Sequence, residues 1–180
     1  MKFLIVVDMQ NDFITGALAN PAAEAIVPKI AEYVRKWDGH LILTKDTHHS
    51  DYLKTMEGRN LPVEHCIQAT EGWQVCDEIS NASFDGKFDG RIEAVEYLSK
   101  PTFGYVKGLR KIIDSNPYPP TSIELCGTCT DICVVSNVLG LKEAYPECEI
   151  IVHKDMCAGV TPESHEAALK VMEMCQVKIV

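Results

Sequence analysis

Three cysteines stand close together in Cys126-Gly127-Thr128-Cys129-Thr130-Asp131-Ile132-Cys133. The stretch joins an apolar run, Ser122 to Cys126, to a helical pattern beginning near Asp131. Cys133 therefore falls in the first turn of a helix, where peptide dipoles and unpaired N–H groups favour a thiolate. The same N–H groups can receive a developing oxyanion, so a nucleophilic thiol there suits acyl transfer. Two other chemistries compete. Cys126 and Cys129 form a C-x-x-C pair, which suits a redox dithiol or half of a zinc knuckle. A dithiol needs its first cysteine exposed at a helix start, whereas Cys126 ends a strand. A zinc knuckle needs a second pair, and the chain has none.

Carboxylates and imidazoles supply further candidates. Asp8 directly follows the apolar run Phe3 to Val7, and Asp46 follows the run His40 to Thr44. Asp46 and His48 are one residue apart, so on an extended segment they point the same way. With His65 they could share a metal ion, and Glu57 lies between them as a fourth donor; His49 is a rival. Carboxylate plus imidazole suits zinc, iron or manganese.

The elements that must position these residues alternate. Short Val/Ile-rich runs, read as strands at 3–7, 40–44, 94–98, 122–126, 149–153 and 176–180, are separated by helical patterns at 22–37, 108–115, 131–145 and 162–175. Asn20-Pro21 reads as a helix start, and Pro28 as a sign that the regular helix begins later. Residues 46–72 read as a long loop, 73–79 as a short helix, and 81–90 as turns because of their Asn, Asp, Ser and Gly content. The pattern predicts an α/β fold, three-layer α/β/α with a six-stranded, mostly parallel sheet, as a single domain over 1–180. Such sheets bind ligands beyond the carboxyl ends of their strands, where Asp8, Asp46 and Cys133 fall.

Composition excludes other classes. Lys and Arg number 17 against 26 Asp and Glu, a net charge of −9, which disfavours nucleic-acid or anionic-membrane partners. No apolar stretch reaches the ~18 residues of a membrane span, and the N-terminus lacks a secretory pattern. A cytoplasmic protein with reduced thiols is expected. Of the eight cysteines, Cys66, Cys76, Cys126, Cys148, Cys157 and Cys175 read as packing.

Four segments resemble the isochorismatase-like cysteine hydrolases, in their nicotinamidase branch. Val7-Asp8-Met9-Gln10-Asn11-Asp12-Phe13 is similar to the opening D-x-Q-N-D-F. Asp46-Thr47-His48 with Pro62-Val63-Glu64-His65-Cys66 resembles the metal loop, and Lys100-Pro101-Thr102-Phe103 the lysine segment. Gly127 to Val134 is similar to G-x-x-T-D-x-C-V. The resemblance implies an Asp8–Lys100–Cys133 triad, a thioester intermediate and an oxyanion hole from the backbone N–H groups of Cys129 and Cys133. It also implies a cis peptide between Thr128 and Cys129, and a thiol pKa lowered by Lys100 and the helix end. Lys87 and Lys107 are rivals to Lys100. The implied reaction is nicotinamide to nicotinate plus ammonia; hydrolysis of a carbamoyl or ureido compound is the alternative. The implied cofactor is a divalent ion, zinc first, held by Asp46, His48 and His65; the chain lacks the third histidine of some relatives, and Glu57 is the substitute read from the sequence. Asn60 to His65 lacks the tryptophan that nicotinamidases often place there, which leaves Phe13, Phe103 and Tyr105 as candidate substrate walls. The expected partner is a small amide, in a homo-oligomer. A non-enzymatic flavodoxin-like redox or binding protein using Cys126 and Cys129 is the competing class.

Overall fold

The computed structural model describes residues 1–180. Strand β1 (Lys2–Val7) is buried from Phe3 to Val7, as a continuous apolar run must be when helices cover both faces of a sheet. Helix α1 is one short turn (Asn11–Ile14) and α2 spans Pro21–Lys36, with the Asn20 side chain accepting the Ala22 N–H at 2.9 Å. Pro28 does not delay α2. It and Glu24, whose carbonyl loses its partner, both lie on the exposed face, where water can replace the missing donor.

Strand β2 (Gly39–Asp46) and strand β3 (Ile92–Lys100) both run further than their apolar cores. Between them lie a 3₁₀ turn (Tyr52–Lys54), α3 (Met56–Asn60) and α4 (Asp77–Phe88). The long loop expected at 46–72 therefore carries two short helical turns. The turn reading of 81–90 and the helix at 73–79 are both corrected by α4. Its buried positions, Ile79, Ala82, Ser83 and Gly86, recur at helical spacing and face α2. A Cβ on Gly86 would lie 2.6 Å from Ile92 Cδ1, so the residue that reads as a turn former is a packing choice. Only Asp89-Gly90 turn the chain.

Helix α5 (Val106–Ile113), β4 (Ser122–Thr128), a π-helical turn (Thr130–Val134), α6 (Val135–Ala144), β5 (Glu149–Ala158), α7 (Pro162–Met174) and β6 (Lys178–Ile179) complete the chain. The six strands form one parallel sheet in the order β3-β2-β1-β4-β5-β6. Helices α2 and α4 pack together, and α5, α6 and α7 form a second packed series. The order reverses between β1 and β4, the switch point where open α/β sheets leave a crevice. There Gly127 pairs with Val7 at φ +117, and a Cβ would meet the Val7 carbonyl oxygen at 2.1 Å. Only glycine lets β4 approach β1 so closely. No helix is long and apolar enough to cross a membrane.

Behind the sheet, Glu124 of β4 accepts the Tyr33 hydroxyl at 2.7 Å and His153 Nε2 at 2.6 Å. Burial pushes its carboxyl up, but His153 and Tyr33 outweigh burial and hold it low. A depressed carboxylate contributes stability above its unfolded pKa and loses it as pH falls through the folded pKa. Glu124→Gln should therefore destabilise the fold by about 1–2 kcal/mol at pH 7. In urea titrations the difference from the unaltered protein should shrink as pH falls below the ordinary glutamate range.

Candidate active site

The strand ends converge. Asp8 follows β1 directly, at φ +50, a left-handed conformation that Asp tolerates better than bulky residues do. Asp46 and Lys100 are the last residues of β2 and β3, rather than lying beyond them, and they are partners in the strand register. Cys133 sits in the π-helical turn after β4, not in a regular α-helix from Asp131.

These four side chains meet around one ammonium. Lys100 Nζ lies 2.8 Å from Asp8 Oδ2, 3.1 Å from Asp46 Oδ1 and 3.4 Å from Cys133 Sγ, and it is fully buried. Lys87 and Lys107 are exposed. Asp8 Oδ1 accepts the Thr44 hydroxyl at 2.7 Å. Its Oδ2 faces the ammonium without a well-aligned hydrogen bond, which leaves a lone pair for another proton.

Charge partitions unevenly over the cluster. Burial pushes the Asp8 carboxyl up, with Lys100 opposing and Asp46 adding to the rise. Burial acts on Asp46 too, but His48, His65 and Lys100 overcome it and hold Asp46 well below the usual carboxylate range. Burial disfavours the Lys100 charge, yet Asp8, Cys133 and Asp46 more than restore it. The expected lowering of the Cys133 thiol is not found. Burial and Asp8 push it well above its ordinary value, and Lys100 only partly compensates. The thiol thus rests protonated beside a carboxyl whose affinity for a proton is itself raised, an arrangement that favours proton transfer coupled to attack.

Beyond Asp46 lies a second cluster. One donor atom each from Asp46, His48, Glu57 and His65 falls within a 4.8 Å group. His48 Nε2 is 3.0 Å from Asp46 Oδ2 and 3.5 Å from Glu57 Oε1, and His65 Nε2 is 3.6 Å from Asp46 Oδ2. His65 Nδ1 donates to the Val63 carbonyl at 2.8 Å, which turns Nε2 towards the group, as metal-binding histidines are oriented. Two imidazoles and two carboxylates converging this way fit a divalent cation of the zinc type. His49 is exposed and outside the group.

Both clusters open into one cavity of about 780 Å³. Cys133, Cys129, Asp46 and His65 line it, with Phe13 and Phe103 as walls. Tyr105 does not line it. Its ring packs where a Gly108 Cβ would be, and its N–H donates to Asn137 Oδ1 at 2.8 Å.

With this geometry, likeness to known proteins becomes informative. The family model described as the Isochorismatase domain matches residues 2–180. The chain belongs to the isochorismatase family. Within that family it is 28% identical to the nicotinamidase/pyrazinamidase of Mycobacterium tuberculosis, covering 100% of this chain and 98% of the relative. It is 25% identical to the nicotinamidase of Schizosaccharomyces pombe, covering 98% and 91%. Among solved structures, the pyrazinamidase of Pyrococcus horikoshii in complex with zinc superposes with a TM-score of 0.77 at 28% identity, covering 99% of this chain and 98% of that one.

Several supports of this isochorismatase-family site escape a sequence reading. Asn137, one turn past Cys133, donates to the Cys133 carbonyl at 2.8 Å and to the Phe103 carbonyl at 3.3 Å while accepting Tyr105 N–H. It ties the π-helical turn to the lysine segment, and nothing but helical spacing announces it. Gln10 clamps Asp46 from both sides, donating to its carbonyl at 3.0 Å and accepting its N–H at 2.7 Å. Asp12 accepts Cys66 N–H at 2.7 Å and so anchors the histidine loop. These two lie in the segment whose resemblance is quoted above, which was the available signal. The peptide between Thr128 and Cys129 is cis, as that resemblance implies.

The remaining cysteines separate cleanly. Cys66, Cys76, Cys126, Cys148 and Cys157 are buried, and no disulfide is formed. Cys175 is exposed, contrary to its reading as packing, because the buried face of α7 ends at Met172. Cys126 is fully buried and burial pushes its thiol far up, so it offers no accessible sulfur for dithiol exchange. Asn137→Ala would remove the side-chain partner of one buried and two part-buried backbone groups. It should cost about 2–4 kcal/mol in denaturant unfolding and lower turnover more than a surface Asn→Ala.

Proposed function

We propose that this chain is a nicotinamidase-like cysteine amidohydrolase in which Asp8, Lys100 and Cys133 carry out the chemistry. The observation that carries the reading is the fully buried ammonium of Lys100, within 3.4 Å of a carboxylate and of the Cys133 sulfur, which lines the cavity. As a planar amide enters, Asp8 takes the Cys133 proton and the sulfur attacks the carbonyl carbon. The oxyanion settles on the backbone N–H groups of Cys129 and Cys133. Asp8 returns the proton to the nitrogen, the C–N bond breaks and ammonia leaves, with the acyl group on sulfur. Water then adds to the thioester, giving one proton to Asp8. The C–S bond breaks, the acid departs and Cys133 recovers its proton. Lys100 holds Asp8 and the sulfur together and offsets negative charge throughout.

Asp46, His48, Glu57 and His65 would hold a divalent cation, zinc being the best match to the donor set. When bound, it supplies a Lewis-acidic point for an electron-rich substrate atom such as a ring nitrogen. Phe13, 5.7 Å from His65 between ring centres, stands as a wall for a flat ring. The ureido alternative is less well served. No Lys or Arg lines the cavity to pair with the carboxylate of a ureido acid.

Cys133→Ala should lower ammonia release from nicotinamide by more than about a thousandfold with little change in thermal stability; retained turnover defeats the mechanism. Stripping metal with a chelator should depress activity, and adding back zinc, iron or manganese should restore it. Glu57→Gln should weaken metal affinity by roughly tenfold or more, read by competition with a chromophoric chelator.

A further inference from the structure

The same cavity extends well past the two clusters. A single pyridine ring with one carboxamide is much smaller than the drug-sized ligands that occupy pockets of about 300–1,000 Å³, and this cavity measures about 780 Å³. The ionisable groups that line it, Asp46, Glu57, His65, Cys129 and Cys133, are all buried or half-buried and form its inner end. Its exposed lining, the outer end, is a mostly apolar rim of Ala19, Pro21, Met56, Leu61, Phe103 and Val160, with half-buried Leu18 beside them and the uncharged amide of Asn60. Four of these are apolar side chains left substantially in water: Met56 at 68%, Val160 at 58%, Phe103 at 46% and Leu61 at 39% exposure. Scattered exposed apolar residues are ordinary, whereas a cluster at the mouth of a pocket marks a binding surface.

The rim is built on independent supports. Met56 and Leu61 bracket α3, whose start is capped by the Thr55 hydroxyl accepting Gly58 N–H at 3.0 Å. Val160 N–H donates to the Asp131 carboxylate at 3.0 Å, beside the nucleophile turn, and Asn20 donates to the Gly159 carbonyl at 2.9 Å. The apolar side chains are thus carried on pinned backbone, continuous with the wall that ends at Cys133.

We infer that the outer end is a subsite for an uncharged, apolar substituent on the substrate ring, so that alkyl- or aryl-substituted aromatic carboxamides are better substrates than the bare ring. The inference rests on the amidohydrolase reading above. The occupant is a substituent of the substrate because the rim is continuous with the reacting centre. It is uncharged because the rim carries neither cation nor anion.

Each methylene buried there should improve kcat/KM by about fourfold. A ring-propyl nicotinamide should therefore exceed nicotinamide by at least tenfold, mostly through KM. The test is a panel of nicotinamide and its ring-methyl, ring-propyl and ring-phenyl derivatives at two ring positions, assayed for ammonia with the metal-loaded protein. Leu61→Asp and Val160→Asp should pull the propyl-to-unsubstituted ratio of kcat/KM towards unity. If nicotinamide is hydrolysed and no derivative gains, the subsite is refuted while the amidohydrolase reading stands. If no amide is hydrolysed, both fail. If the two variants leave the ratio intact but dissociate an oligomer in sedimentation velocity, the rim is an interface between copies and the inference is overturned.

Discussion

A buried ammonium is costly unless negative charge surrounds it, and Lys100 is held by two carboxylates at 2.8 and 3.1 Å. Everything else at the site follows from satisfying that charge. Asp8 and Asp46 must arrive from adjacent strands, so β1, β2 and β3 must end level. The register delivers this, pairing Asp46 with Lys100, while Asp8 steps off β1 in a left-handed turn. Removing Lys100 would strand two buried carboxylates, a loss of the order of 3–5 kcal/mol. The residue is thus necessary to the folded site itself, apart from the chemistry proposed for it.

One ammonium between two carboxylates also sorts their roles. Asp46 is drawn towards the histidines and stays ionised, whereas Asp8, with only Thr44 and Lys100 for company, is the one that keeps its affinity for a proton. Environments that push paired carboxyl groups apart are how one site separates base from ligand. The charge left over on Asp46, together with Glu57, faces two imidazoles that a dication can bridge. The four-donor group and the Cys133 sulfur are thus linked electrostatically, joined through Asp46 and Lys100.

Much of this is legible in the residues. Strand ends carrying Asp8, Asp46 and Lys100, and a thiol just after β4, are a pattern that an expected parallel sheet already makes meaningful. Glu57 could be picked out because only a few donors lie between the two histidines. What was not legible depended on packing. Turn-forming residues at 81–90 became helix because α2 offered a surface to Ile79, Ala82 and Gly86. Asn137 looks like any helical amide until three backbone groups converge on it. Tyr105 was misplaced as a wall because spacing along the chain does not say which way a residue at a helix start will face. The direction of the Cys133 shift was also hidden, since burial depends on the assembled core and outweighs the nearby lysine.

The central claim is that the Lys100-held thiol forms a covalent acyl intermediate. Rapid quenching in acid during turnover, followed by peptide mass spectrometry, tests it most directly. The account predicts one acyl group on the peptide containing Cys133, at Cys133 itself, removed by hydroxylamine. An acyl group on Cys129, or steady turnover with no acylated peptide at any quench time in a variant slowed at the water step, would contradict it.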